Sequence, residues 1–148
     1  MFEQTLYAGW GDMDFNAHMK NTAYLDKSAD VRMMYFAQQG YPASEFLRLK
    51  IGPVVMRDEL EYFREIHLLE EMKVNLAFAG LSDDGSRMSI RNEFTRADGK
   101  LAARVTTIGG WMNLSARKLI APPPALFEVM KLSPQTADFQ RLASSIGP

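Results

Sequence analysis

Residues 10–25 read WGDMDFNAHMKNTAYL, a stretch in which a strand-like pattern gives way to a helical one. Residues 12–20 are too polar and turn-prone to continue a strand, and Asn21 or Thr22 can cap a helix. A loop that leads into a helix offers unpaired N–H groups and a partial positive charge, which stabilise the oxyanion of acyl transfer. A neighbouring carboxylate, Asp12 or Asp14, could then act as nucleophile or as general base.

The segment before this stretch has the pattern of a strand, and the segment after it has the pattern of a helix. Residues 4–11 have the composition of a strand, and the helix that begins near Asn21 should end near Gln39, because Gly40 and Pro42 follow. The apolar residues of this helix cover more than half of its circumference near the C-terminal end. We therefore expect the helix to be enclosed by other structure.

The rest of the chain alternates with period two, which is typical of half-buried strands. Strands are predicted at 54–64, 72–78, 88–94 and 101–114, with hairpin turns at Asp84-Gly85 and Asp98-Gly99. Gly109-Gly110 predicts a bulge or a close backbone approach. The order predicts an α+β fold, an antiparallel sheet of about five strands wrapped around one long central helix. Residues 1–124 form this domain, and residues 125–148 are predicted to be a short helix and a loosely held tail.

Composition excludes several classes of function. The 17 basic and 18 acidic residues are nearly balanced, which argues against nucleic acid as the main partner. The chain has no cysteine, so disulfides and thiolate catalysis are excluded, and two histidines without matched spacing predict no metal site. No signal peptide and no apolar run of about 20 residues is visible, so no membrane span is expected. We expect a soluble, cytoplasmic protein.

The stretch from Asp12 to Leu25 resembles the Asp-x-Asp-x-x-Gly-His-Val-Asn-Asn-x-x-Tyr-Leu signature of hotdog-fold acyl-CoA thioesterases, in the 4-hydroxybenzoyl-CoA thioesterase group. The resemblance covers roughly residues 4–124 and implies a hydrolase that converts an acyl-CoA to a free acid and CoA. It also implies a homodimer or homotetramer, with no cofactor other than the coenzyme A of the substrate. Ala17 stands where the family usually has Gly, so the loop must avoid positive φ or accept strain. Lys20 stands where the first Asn is common.

The resemblance also assigns roles to individual residues. It implies that Asp14 is the catalytic carboxylate and that the segment from His18 to Thr22 holds the thioester carbonyl. The predicted catalytic residues are Asp14, His18 and Asn21, and the predicted substrate-binding residues are Thr22, Tyr24 and Arg87. Arg87 is chosen because the family often places basic residues near the connection of the third and fourth strands, although that turn here contains Asp83 and Asp84.

For Asp12 and Asp30 we expect structural roles. Asp12 is expected to bind loop amides. Asp30 is a rival catalytic carboxylate, because other hotdog thioesterases use one from this helix, but we expect it to pair with Arg32 or with a partner-chain residue.

Three other functions remain open on the sequence alone. The first is a non-catalytic hotdog protein that binds acyl-CoA, and the second is a thioesterase that acts on acyl carrier protein. A hotdog dehydratase or hydratase is the third, although no Asp-His pair is present in that family's helix motif. An unrelated small-ligand barrel explains the helix and strands but not the match from Asp12 to Leu25. The sequence does not predict the acyl group.

Overall fold

The structure is a computed structural model that describes residues 1–147. Within them a 3-10 turn, Trp10–Asp12, precedes three helices: α1 (Asn21–Gln38), α2 (Ala43–Leu49) and α3 (Pro124–Lys131). The strands are β1 (Phe2–Tyr7), β2 (Ile51–Tyr62), β3 (Glu71–Ser82), β4 (Arg87–Arg96), β5 (Leu101–Asn113), β6 (Lys118–Ile120) and β7 (Gln135–Leu142). The predicted order of a strand, a long helix and then hairpin-linked strands is confirmed.

The strands form one sheet whose main path runs β1-β3-β4-β5-β2, with antiparallel neighbours. Two further strands lie off this path, because β6 pairs with β5 and β7 pairs with β3. The expected count of about five strands is therefore too low, since the sheet has seven. The sequence could not show β6, which has only three residues, nor β7, whose residues do not alternate.

Strand β2 lies at one end of the main path, so its outer edge has no neighbour in residues 1–147. It begins at Ile51, before Gly52-Pro53 and not after it. Proline is tolerated there because an edge strand does not need every N–H for pairing.

The predicted close approach at Gly109-Gly110 is confirmed. A Cβ at Gly109 would collide with the carbonyl oxygen of Val54, and one at Gly110 would lie 2.6 Å from the carbonyl oxygen of Ser86.

Helix α1 packs against β3 and β5 along one face only. Its buried residues recur at helical spacing, and the opposite face, with Asp26, Asp30 and Met34, is exposed. The expectation that other structure encloses the whole helix is wrong for this chain by itself. The core lies between the buried face of α1 and the sheet, where its largest side chains are Phe36, Phe78, Phe94 and Trp111.

The tail is not loosely held, at least from residue 135 to 145. Strand β7 runs parallel to β3 from Phe78 to Ser82, next to the part of β3 that β1 covers. Beyond it, Ser144 and Ser145 are hydrogen-bonded to the turn between β3 and β4. The expected tail also included Pro148, which lies outside the described residues. None of the helices in residues 1–147 is long and apolar enough to cross a membrane.

Candidate active site

The loop between the 3-10 turn and α1 is closed by its own backbone. Met13 and Met19 form an isolated antiparallel bridge, and inside it the amide of Asp14 donates to the carbonyl of His18 over 3.0 Å. The amide of Ala17 donates to the carbonyl of Asp14 over 3.2 Å. Met19 is 2% exposed and anchors the end of the loop in the core. These contacts hold Asp14 and His18 next to each other.

Ala17 has a φ of +64°, in the left-handed region. Two outcomes were expected for this loop: that Ala17 avoids a positive φ, or that the backbone there is strained. The structure shows the second. A Cβ in this region lies too close to the following carbonyl, at a cost of roughly 1–2 kcal/mol.

The carboxylate of Asp14 is oriented by the turn that it begins. Its Oδ1 accepts a hydrogen bond from the amide of Asn16 over 2.8 Å, and its Oδ2 lies 3.5 Å from the Nδ1 of His18. The Asp14 side chain is 27% exposed. It is therefore neither turned into bulk solvent nor locked in a close salt bridge.

The neighbours of His18 favour one tautomer of its ring. Its Nδ1 lies 3.3 Å from the carbonyl oxygen of Met19 and 3.5 Å from Oδ2 of Asp14, and both are acceptors. A neutral imidazole is best accommodated with its proton on Nδ1, which leaves Nε2 as an acceptor.

Asp14 and His18 line a pocket of about 410 Å³. Two more of the residues predicted for the site, Asn21 and Tyr24, line it as well. The remaining lining residues are Met19, Tyr62, Phe63, Arg64 and Glu65. Sequence reasoning missed residues 62–65 as site residues, because they follow the end of a strand far along the chain and have no distinctive local pattern.

Tyr24 is 3% exposed and packs edge-to-face against Tyr62 and Phe94, with ring centroids 5.4 and 5.2 Å apart. Burial, reinforced by Tyr62 and nearby carboxylates, raises the pKa of the Tyr24 hydroxyl to about 12. Tyr24 therefore presents a neutral hydroxyl at the pocket.

Asp12 has the structural role that was expected. Its Oδ2 accepts a hydrogen bond from the amide of Gly9 over 2.8 Å and lies 3.0 Å from the ammonium of Lys27 on α1. Burial alone would raise the pKa of Asp12, but the Gly9 amide and the Lys27 charge outweigh it and hold the pKa below its usual value. Asp12 thus joins the loop to the helix.

The expected cap of α1 by Asn21 or Thr22 is wrong. The capping residue is Lys20, and its side chain makes no capping hydrogen bond. Asn21 and Thr22 are the first helical residues, and their amides have no hydrogen-bond partner in residues 1–147. Two donors at the positive end of α1 are therefore free to bind an oxygen.

Thr22 and Arg87 do not line the pocket that contains Asp14. Thr22 is exposed. The Nε of Arg87 donates to the Oγ of Ser145 over 3.1 Å, and its amide donates to the Oγ of Ser82 over 2.9 Å. These contacts tie Arg87 to the C-terminal segment.

Asp30 is exposed and makes no ion pair with any residue from 1 to 147. The expected pairing with Arg32 is wrong, because the Nη1 of Arg32 donates to the Oγ1 of Thr107 over 3.3 Å. Across the described residues, no group of three or more His, Cys, Asp or Glu side chains is placed to hold a metal ion.

One family model matches this chain, and similar solved structures share its fold. The family model described as the thioesterase-like superfamily matches residues 8–130. No curated protein has a significant match to this chain. Among solved structures, a hypothetical protein from Staphylococcus aureus in complex with CoA is 21% identical, with a TM-score of 0.80 over 92% of this chain and 87% of that one.

Two named thioesterases have the same fold. A 1,4-dihydroxy-2-naphthoyl-CoA thioesterase from Synechocystis is 15% identical, with a TM-score of 0.78 over 88% of this chain and 96% of that one. A gentisyl-coenzyme A thioesterase is also 15% identical, with a TM-score of 0.76 over 84% of this chain and 98% of that one.

Proposed function

We propose that this chain, which belongs to the thioesterase-like superfamily, hydrolyses an acyl-CoA thioester to a free acid and CoA. The similar structures include thioesterases of two aromatic acyl-CoA esters and a protein in complex with CoA, which supports this reaction class. The reaction needs no cofactor, because coenzyme A is part of the substrate. The cysteine-free sequence is compatible with the cytoplasmic location that we include in the proposal.

One observation carries the proposal. The Asp14 carboxylate is oriented by the Asn16 amide and lies on the wall of a pocket that also contains Asn21, the first residue of α1. The unpaired backbone N–H of Asn21 can donate a hydrogen bond to the carbonyl oxygen of a thioester in this pocket and stabilise the negative charge that develops on it. This arrangement supports an oxyanion hole at the start of α1, with Asp14 as the reacting carboxylate.

Asp14 can act by two routes. As a nucleophile, its Oδ2 bonds to the thioester carbon and the C–S bond breaks, which releases the CoA thiolate; water then hydrolyses the acyl anhydride and restores the carboxylate. As a general base, Asp14 takes a proton from water while the water oxygen attacks the carbon, and that proton passes to the departing thiolate. His18, which contacts the Asp14 carboxylate, positions it in both routes.

Thiol release across a panel of acyl-CoA esters tests the proposal. Asp14→Asn keeps the acceptor for the Asn16 amide, and we expect it to lower kcat at least about a thousand-fold while the fold is retained. Asp30→Asn is the matched control and should retain full turnover. If Asp30→Asn is inactive and Asp14→Asn is not, the catalytic carboxylate is Asp30.

The same assay separates the remaining alternatives. Tight binding of an acyl-CoA with no thiol release would make this a binding protein. Hydrolysis of acyl groups attached to acyl carrier protein, with none of acyl-CoA, would show that the carrier is that protein and not CoA. After turnover in heavy-oxygen water, label in the peptide that contains Asp14 would indicate the nucleophilic route, with water attacking the Asp14 carbonyl of the anhydride.

We also propose that the protein is a homodimer or homotetramer. The outer edge of β2 is unpaired within residues 1–147, and Val55 and Met56 on that strand are 53% and 40% exposed. An uncovered edge with apolar side chains is a template for pairing with a second strand. Sedimentation velocity gives the mass, and a monomer at micromolar concentration would contradict this part of the proposal.

A further inference from the structure

Asp14 borders a second depression in addition to the pocket that contains His18 and Tyr24. This depression has a volume of about 480 Å³ and is lined by Trp10, Met13, Asp14, Phe15, Ala17 and Leu68. We call it the apolar trough, because Asp14 is its only charged residue.

The side chains of the apolar trough are unusually exposed. Trp10 is 84% exposed, Phe15 is 103% exposed and Leu68 is 41% exposed. Neighbouring exposed apolar side chains mark binding sites more often than scattered ones do. Met13 is partly buried and packs against the core, so its flexible side chain forms the base of the trough.

The loop holds this surface in place. The bridge between Met13 and Met19 and the hydrogen bonds of the turn from Asp14 to His18 fix the backbone on which Phe15 and Ala17 lie. On the other side, the amide of Leu69 donates to the carbonyl of Ala8 over 2.7 Å, which fixes the segment next to Leu68. The trough is therefore a preformed surface, as ligand sites usually are.

The chemistry of the two depressions differs. The pocket combines the polar side chains of His18, Arg64 and Glu65 with aromatic ones, whereas the trough has only apolar side chains around Asp14. A thioester has the same asymmetry, because the thiol carrier is polar and the acyl group is a hydrocarbon. The scissile bond joins these two parts, and its carbon must lie within reach of Asp14, the residue that the two depressions share.

We propose that the apolar trough binds the hydrocarbon chain of the acyl group, while the pocket receives the carrier side of the thioester. This inference rests on the proposed function and adds the substrate class, acyl groups with an extended hydrocarbon chain. Trp10, Phe15 and Leu68 are then the residues that determine specificity for chain length.

The kinetic test uses acetyl-, butyryl-, hexanoyl- and octanoyl-CoA. Complete burial of one methylene changes an equilibrium about four-fold, and the trough is open on one side, so we expect kcat/KM to rise about two-fold per methylene. Phe15→Ala and Leu68→Ala should flatten this dependence, because they lower kcat/KM for octanoyl-CoA more than for acetyl-CoA. Leu132→Ala, at a residue that is 83% exposed and borders neither depression, is the matched control and should keep the dependence.

A binding test is independent of turnover. The chain has 2 tryptophans, and Trp111 is fully buried, so a change in the environment of the exposed Trp10 can be read from fluorescence. The non-hydrolysable thioether S-octyl-CoA should shift the emission to shorter wavelength, and CoA alone should not. Trp10→Phe should abolish the shift.

The outcomes distinguish this inference from the proposed function. Hydrolysis with equal kcat/KM for all four esters would overturn the trough and leave the thioesterase intact. No hydrolysis of any ester, with the octyl-dependent shift of Trp10 present, would overturn the proposed reaction and support the trough. If Phe15→Ala changes the mass in sedimentation velocity and not the chain-length dependence, a second copy covers the trough and the inference is wrong.

Discussion

Oδ2 of Asp14 and Nδ1 of His18 lie 3.5 Å apart, and the backbone turn between the two residues holds both side chains against one pocket. The amide of Asn16 is hydrogen-bonded to Oδ1 of Asp14, and the imidazole lies beside the other oxygen, Oδ2. If His18 positions Oδ2 as proposed, removal of its ring should affect the rate more than substrate binding.

His18→Gln should lower kcat about a hundred-fold with KM nearly unchanged, because a small misplacement of the reacting carboxylate costs that much. Steady-state kinetics by thiol release measures both constants. The chain has 2 histidines, so His67→Gln, at an exposed position next to Glu65, is the matched control and should keep the wild-type rate. A wild-type kcat for His18→Gln would assign the ring to loop packing alone.

Ala17→Gly should stabilise the protein. Removal of the backbone strain at Ala17 stabilises the folded state by roughly 1–2 kcal/mol. The greater conformational freedom of glycine in the unfolded chain offsets about 0.4–1 kcal/mol of this. We expect the free energy of unfolding in urea to rise by about 0.5–1 kcal/mol. The same change at the exposed helical residue Ala37 should lower it by about 1 kcal/mol. Destabilisation by both substitutions would show that residue 17 is not strained.

Asp12→Asn should lower the free energy of unfolding by about 1–2 kcal/mol at pH 7, since it removes the charge that faces Lys27. The pKa of Asp12 in the folded protein lies below its usual value of 3.8, so the stabilisation is fully present above that value. It is lost as the pH falls through the lower folded pKa. Urea unfolding at pH 7 and pH 3 should therefore show a smaller difference between wild type and variant at pH 3.

The carboxylate of Asp84 holds the C-terminal segment in place through hydrogen bonds. It accepts hydrogen bonds from the hydroxyls of Ser82, Ser86 and Ser144 over 2.8, 2.7 and 2.6 Å. Burial acts to raise the pKa of Asp84, but these hydroxyls and the Ser86 amide hold it far below its usual value. The stabilisation is present above the usual value of 3.8 and declines as the pH falls below it.

Asp84→Asn should therefore cost about 2 kcal/mol of unfolding free energy at pH 7 and increase amide exchange in residues 135–145. Hydrogen exchange read by mass spectrometry measures the local effect. Asp98→Asn, at an exposed position in the turn between β4 and β5, is the control. Unchanged exchange in residues 135–145 would contradict the role assigned to Asp84.

Tyr24→Phe should remove a tyrosine whose pKa is raised to about 12. Burial raises the pKa of Tyr24 to about 12, above its usual value of 10.0, so the stability linked to its neutral hydroxyl is present below pH 10 and is lost as the pH rises toward 12. In a pH titration followed by tyrosinate absorbance, the variant should show one tyrosine fewer than the wild type in the step near pH 12. Tyr7→Phe, at a residue that is 60% exposed, should leave that step in place.

Some features of this protein were predictable because they depend on neighbours in the chain. The loop from Asp12 to Lys20 and the helix after it follow from the residues themselves, and the hydrogen bonds that orient Asp14 reach only two to four positions along the chain. Period-two alternation also revealed the strands of the main sheet. Such short-range relations are encoded locally, so a single sequence shows them.

Other features were decided by the tertiary structure alone. Tyr62 to Glu65 complete the pocket because the sheet brings the end of β2 to the start of α1, and β7 pairs with a strand that lies more than fifty residues earlier in the chain. The hydrogen bond from Arg87 to Ser145 of the same tail is likewise a long-range contact. These contacts join segments far apart in sequence, and their free energy is gained only after the sheet has formed, so no local pattern records them.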